Sequence, residues 1–339
     1  MPAPLPDGRH MRLILRALKG IDPFLLMLIA TVAAASLLPA RGIGVPIFHW
    51  IANAAIMLLF FLHGAKLSRA AIVAGAGNWR LHLLVMASSF VLFPILGLGL
   101  SLLARPIAAP EILAGLLFLS LLPSTVQSSI AFTAMAGGNV PAAVCSASLS
   151  NLTGIVITPL LVALLMNVGG AGHSVSIDAV GDIVVQLLLP FVAGHLLRPW
   201  IGAWVDSHKK LLQPVDRSSI LLVVYTAFSA AVVQGIWQKV SPLDLVTILG
   251  LSAVLLALVM GANVFMARRA GLPREDAIVL LFCGSKKSLV SGVPMAGALF
   301  APAVVGVLIL PLMIFHQLQL FVCAVIAGRY RAQLERGGQ

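Results

Sequence analysis

The chain has 339 residues, of which 60% are apolar and 10% charged, and its formal net charge is +11. Soluble domains run nearer ~45–50% apolar and ~25% charged, so a mean hydropathy of +1.05 leaves too little polar surface to face water. The composition excludes a soluble enzyme, a disordered chain and a nucleic-acid-binding protein, and it makes the lipid bilayer the chain's partner along most of its length.

A bilayer core of ~30 Å asks for about 20 apolar residues per helix. With that window the sequence predicts ten spans, at about 22–39, 44–63, 81–104, 111–136, 140–166, 177–197, 217–236, 243–267, 275–299 and 303–328. The first span follows Arg9, Arg12, Arg16 and Lys19 and contains Ala33-Ala34-Ala35-Ser36, the outline of a cleavable signal. The topology requires this stretch as a helix, and it is read as one. The longest connection, about 198–216, is too short for a domain, so the function is expected inside the bundle. With the N-terminus in the cytoplasm, seventeen Lys and Arg fall on the cytoplasmic side, and only Arg41, Arg105 and Lys239 fall outside. Basic residues concentrate on the cytoplasmic face of multi-pass proteins, so a multi-pass protein of the cell (inner) membrane is expected, with both termini cytoplasmic and residues 331–339 as a tail. The cysteines Cys145, Cys283 and Cys323 lie in apolar stretches without CxxC or CxxH spacing and read as packing residues.

Ten spans divide as five plus five. Glu111 and Leu116-Leu117-Phe118 recur as Glu275 and Leu280-Leu281-Phe282, at one offset of 164 residues. Past them both spans lose their apolar character at the same depth. The first reads Pro123-Ser124-Thr125-Val126-Gln127-Ser128-Ser129 and the second Cys283-Gly284-Ser285-Lys286-Lys287-Ser288. An odd number of helices per repeat makes the second copy enter from the opposite face, and paired interrupted helices then mark the substrate site. The expected fold is an all-α polytopic membrane protein: ten transmembrane helices in two inverted five-helix repeats, about 20–168 and about 175–330, with helices four and nine discontinuous. Residues 1–330 form a single membrane transporter domain on this reading.

Pro123 interrupts span four, because it lacks an N–H and clashes with the preceding turn. Ser124 and Thr125 are suited to cap a restarted half-helix, and in span nine Ser285 is placed to do the same after Gly284. Two half-helix N-termini facing one cavity favour an anion. Lys286 and Lys287 sharpen this expectation, since a cation near the bilayer centre costs about 2.5–3.5 kcal/mol and normally has a functional partner. Span five adds Ser146, Ser148, Ser150, Asn151 and Thr153, and Gln127, His316, Gln317 and Gln319 are further polar groups at membrane depth. All eleven acidic residues are expected in loops or near span ends, so a cation site at the midplane would rest on neutral oxygens. The expected binding set is Ser124, Thr125, Gln127, Ser128, Ser129, Ser148, Ser150, Asn151, Ser285, Lys286, Lys287 and Ser288, facing a small organic anion. No redox, haem or nucleotide motif is visible, and no such cofactor is expected.

The break at Leu122–Ser129 and the Gly284-Ser-Lys-Lys-Ser-Leu-Val-Ser-Gly-Val-Pro294 break resemble the bile acid:sodium symporter superfamily. The match is to its SBF-like bacterial branch, related to the seventh member of solute carrier family 10, and it covers about residues 20–330. The resemblance implies secondary transport by alternating access, with a four-helix panel (spans one, two, six and seven) against a six-helix core in which the broken helices cross. In the sodium-coupled branch a Ser-Asn pair after the first break helps to hold sodium. Here that pair is Ser128-Ser129, with Asn151 and Ser148 or Ser150 as span-five partners. That branch has a Glu-x-Gly-x-Gln-Asn motif at the second break, whose Glu, Gly, Gln and Asn positions align with Cys283, Ser285, Lys287 and Ser288. The liganding carboxylate is lost and a lysine stands where a neutral ligand stood. The Lys287 ammonium is then expected to act as a tethered cation in the vacated ion position, and its deprotonation would couple transport to protons. Two other readings stay open: a sodium-independent regulator of cellular cation (calcium) balance, and an intramembrane hydrolase with Ser124 or Ser128 as nucleophile and a lysine base.

Overall fold

The computed structural model describes residues 23–67, 77–166 and 177–337. Every regular element among them is helical, as the bilayer demands of a chain that must satisfy each backbone N–H and C=O internally. In chain order the helices are α1 (Pro23–Leu37), α2 (Gly44–Lys66), α3 (Trp79–Leu103), α4 (Pro110–Ser120), α5 (Gln127–Met135), α6 (Val140–Met166) and α7 (Ile177–Ser207). They continue with α8 (Lys209–Val233), the short α9 (Ile236–Lys239), α10 (Pro242–Arg269), α11 (Arg274–Gly284), α12 (Leu289–Leu299), α13 (Pro302–Leu308) and α14 (Leu310–Gly337). Seven helical stretches among the described residues are long and apolar enough to cross a membrane. The protein is a multi-span membrane protein. The basic cluster Arg9, Arg12, Arg16 and Lys19, Arg69, and the last two residues of the expected tail lie outside the described residues.

Four helices pack on one another as one layer: α1 on α8, α8 on α2, and α2 on α7. Two glycines set the α2–α7 crossing. A Cβ on Gly64 would overlap the Phe191 carbonyl, and one on Gly194 would overlap the Phe61 carbonyl, so both backbones approach as closely as small residues allow. The other helices gather around the two interruptions. There α3 packs on α4 and α11, α6 on α5 and α11, and α14 on α4, α5 and α10. Contacts of α8 with α12 and α13, and of α7 with α6, join the two groups.

The expected loop at about 198–216 is not one, because α7 runs to Ser207 and α8 begins at Lys209. A hydropathy window finds where the bilayer ends, whereas a helix carries its own hydrogen bonds onward into water. Ion pairs hold these extensions. Arg198 pairs with Asp206 at 2.9 Å and donates to the Ala65 carbonyl, and Lys66 pairs with Asp216. Asp216, expected in a connection, therefore sits within a helix and binds the end of α2.

Candidate functional site

The site is two gaps in helices, and its first problem is the backbone they leave unpaired. Between α4 and α5 the carbonyls of residues 120 to 124 have lost their helical donors. Each finds another. Thr158 Oγ1 donates to Leu121 O at 2.8 Å, Ser288 N–H to Pro123 O at 2.9 Å, and Asn151 Nδ2 to Ser124 O at 2.7 Å. The Lys287 ammonium donates to Ser120 O at 2.8 Å and to Leu122 O at 2.6 Å. The Ser124 N–H is taken by Ser150 Oγ at 3.0 Å. A buried unpaired carbonyl costs about 1–3 kcal/mol, so this set of donors is what makes the gap stable.

The gap between α11 and α12 is closed in the same manner from the other side. Ser124 Oγ donates to Cys283 O at 2.5 Å, Ser129 Oγ to Phe282 O at 3.2 Å, and Ser88 Oγ to Gly284 O at 2.8 Å. Gln319 on α14 holds both backbone groups of Lys287, accepting from its N–H at 2.8 Å and donating to its carbonyl at 2.9 Å. Pro123 approaches α6 closely enough that a Cβ on Gly154 would lie 2.7 Å from the proline Cβ. The two gaps therefore cross in contact, each supplying donors to the other.

The third acceptor for Lys287 comes from α3. That helix contains a π-helical turn at Ser88–Leu92, where the Phe93 N–H reaches back five residues to Ser88 O. Ser89 O would take the next N–H in that register, but residue 94 is proline, which has none. The freed carbonyl accepts from Lys287 Nζ at 2.8 Å. An ammonium has three N–H donors, and here each has a carbonyl. Lys286 next to it differs. Its Nζ is buried without a hydrogen-bond partner and lies 4.0 Å from the Phe132 ring centre and 5.6 Å from that of Phe282.

Residues 22–332 match the SBF-like CPA transporter family. The chain belongs to this family. It is 60% identical over 316 residues to YfeH of Escherichia coli (strain K12), provisionally named a symporter, covering 93% of this chain and 95% of that one. It is 27% identical over 327 residues to sodium/bile acid cotransporter 7 of Mus musculus, covering 93% and 94%. The resemblance read from the two breaks is the correct family.

Within this transporter-family chain, eight of the twelve expected residues fall into two clusters, and Gln127, Ser148, Ser285 and Lys286 lie apart from them. Ser124, Ser150, Asn151, Lys287 and Ser288 meet at the crossing, and Ser291 Oγ joins them by donating to Asn151 Oδ1 at 2.7 Å. Thr125, Ser128 and Ser129 form a hydroxyl cluster, with Thr125 Oγ1 2.8 Å from each of the other two, tied to the second gap by Ser129. Gln127 is exposed at the start of α5, and Ser148 lines a cleft of about 500 Å³ between α3 and α6 together with Trp79, His82, Met86 and Leu152. The capping expectations are corrected. Val126 precedes α5 with no side-chain cap, because Thr125 turns to the serine hydroxyls. Ser288, not Ser285, caps α12, accepting from Ser291 N–H at 3.1 Å, while Ser285 donates back to Leu281 O.

Among the described residues no group of three or more His, Cys, Asp or Glu could hold a metal ion. Of the oxygens expected for sodium, Asn151 Oδ1 accepts from Ser291 while its Nδ2 donates to Ser124 O and Ala147 O, and the Ser128 and Ser129 hydroxyls are hydrogen-bonded to Thr125. Ser124 and Ser128 do not hydrogen-bond to a lysine amine, as a Ser–Lys hydrolase requires; their partners are carbonyl and hydroxyl oxygens. Sequence reasoning missed Ser88, Ser89, Ser291 and the aromatic partners Phe93 and Phe132. The signal for Ser89 was Pro94, a proline in the middle of an apolar run.

Proposed function

We propose that this protein is a secondary active transporter of an organic anion that works by alternating access, with the Lys287 ammonium as a tethered cation where a mobile coupling ion would otherwise sit. One observation carries this reading: the Lys287 ammonium is coordinated by Ser89, Ser120 and Leu122 carbonyls at 2.6–2.8 Å, at the point where the two interrupted helices bond to each other. Carbonyl oxygens replacing water around a cation are the arrangement of an ion site. In this chain a covalently held cation fills it.

Several features support the ten-helix inverted-repeat plan. α4 and α11 are each 11 residues long and begin 164 positions apart, at Pro110 and Arg274. At the same offset α2 falls on α8, and α3 on α10. An anionic substrate is supported by two buried lysines that have no carboxylate partner among the described residues. The mostly apolar cleft beside Ser148 suits a substrate with an apolar body. The bias of basic residues supports the inner membrane with both termini cytoplasmic.

The test is uptake of a panel of labelled organic anions into proteoliposomes made in sodium, potassium or choline salts. The reading expects uptake of at least one anion at similar rates in all three salts, and none by Lys287→Met. Uptake that requires sodium would overturn the tethered cation. Absence of uptake for every anion and under every gradient would overturn the transporter reading itself.

A further inference from the structure

Two adjacent lysines in one buried gap invite the same role, and the structure separates them. Lys287 places its ammonium among three carbonyls, one for each N–H, and 4.1 Å from the Phe93 ring centre. Its charge is solvated by protein. Lys286 is equally buried, at 0% exposure, but its Nζ meets no acceptor. It lies against the faces of Phe132 from α5 and Phe282 from α11, whose rings are 6.0 Å apart. Aromatic faces return only part of the solvation that a buried cation has lost, less than burying an unpaired ammonium costs. A neutral amine suits this cage, because its two N–H bonds can point at ring faces and it carries no charge to desolvate.

From this asymmetry we infer that Lys286 is the proton-exchanging group of the transporter: it gives up its proton when the second gap is closed as here, and takes one when the half-helices part and water reaches it. Lys287 keeps its charge throughout. The groups facing Lys286 are consistent with that division. From α11 there is the Cys283 thiol and from α14 the Cys323 thiol. His316, also on α14, is engaged with the Lys287 carbonyl at 3.4 Å and with Gln319 at 2.8 Å. From α5 it is faced by Phe132, which does not titrate. No carboxylate among the described residues forms an ion pair with it. The proton step balances simply: one N–H bond of the ammonium breaks, its electron pair stays on Nζ, and the proton passes to water. Phe132 rides on the half-helix after the first gap and Lys286 lies in the second gap. A relative movement of the two broken helices therefore opens the cage and permits the exchange. The inference rests on the alternating-access reading above, but its chemistry is testable without transport.

The experiment compares the stability of detergent-purified parent and Lys286→Met across pH 6.5 to 9. If the parent folds with a neutral Lys286, unfolding takes up one proton at that site. The ratio of the two unfolding constants, parent over Lys286→Met, then falls about tenfold per pH unit as pH rises, with Lys286→Met the more stable protein at low pH. A ratio that stays flat over this range overturns the inference. Should Lys286→Met not fold, the parent alone decides. With its lysines ¹⁵N-labelled, NMR in detergent is expected to show one neutral amine at pH 7, and seven ammonium signals would overturn the proposal. Either result is read without substrate, so failure here is distinct from failure of uptake in proteoliposomes.

Discussion

Pro94 lies in α3 and Lys287 in the gap between α11 and α12, and they never touch as donor and acceptor, yet one creates what the other binds. The proline removes the N–H that would have closed the Ser89 carbonyl within α3, and Lys287 Nζ takes that carbonyl at 2.8 Å. This coupling is measurable. Pro94→Ala restores the missing donor and lets α3 satisfy Ser89 internally. The cost of Lys287→Met should therefore be smaller in the Pro94→Ala background than in the parent, by about 1 kcal/mol, the net worth of one hydrogen bond. A double-mutant cycle on unfolding midpoints checks it. Additive effects would mean that Ser89 contributes nothing to the cage.

Lys287 itself should be the most costly of the gap residues to replace. Lys287→Met leaves three buried carbonyls without donors, at about 1–3 kcal/mol for each that water does not reach. Lys287→Arg should not rescue it, because a planar guanidinium cannot spread its donors over three carbonyls placed around a point charge. The expected result is a lower thermal midpoint for both variants. If Lys287→Arg matched the parent, the three-carbonyl geometry would not be what matters.

How far the sequence went in predicting this arrangement depended on how each feature is encoded. The two gaps were legible because Pro123 and the Gly284–Ser288 run break apolar spans, and only irregular backbone explains such chemistry at that depth. The two lysines were legible as a pair, but their different surroundings were not. Whether an ammonium meets carbonyls or phenyl rings depends on helices far away in sequence, 198 residues away in the case of Ser89. The caps were misread because capping rules assume that a hydroxyl near a helix start serves that start. Here Ser124 is drawn across to the Cys283 carbonyl, Thr125 turns to the Ser128 and Ser129 hydroxyls, and Ser285 donates back to Leu281 O. The helical extension through residues 198–207 was hidden for the opposite reason, since hydropathy ends there while the helix does not.

Gly154 offers a test of the crossing that involves no polar group. It lies on α6 opposite Pro123, and a Cβ there would come within 2.7 Å of the proline Cβ and 2.9 Å of its Cγ. Neither proline atom can swing aside, because the ring is tied to the backbone of the gap. Gly154→Ala should lose about 1–3 kcal/mol by overpacking, whereas Gly250→Ala in α10, with open space around its Cβ position, should gain up to about 1 kcal/mol from helix propensity. Thermal midpoints of the two variants should move in opposite directions. Equal tolerance at both positions would mean that the first gap is not pressed against α6.

Gln319 provides the last test. Its amide holds the N–H and the carbonyl of Lys287 together, at 2.8 Å and 2.9 Å, which fixes the backbone from which Lys287 reaches its cage. Gln319→Leu removes both bonds and buries two unpaired backbone groups, for about 1–3 kcal/mol each. Gln319→Glu keeps an acceptor for the N–H but sets a carboxylate, or a single acid proton, against the Lys287 carbonyl, so it should recover only part of the loss. The order parent, Gln319→Glu, Gln319→Leu in falling stability is expected at pH 6, where protonation of a buried Glu supplies the second donor. The gap between parent and Gln319→Glu should widen toward pH 8 as that proton is lost. Gln319→Glu equal to the parent at both pH values would show that the amide's donation to Lys287 O carries no weight.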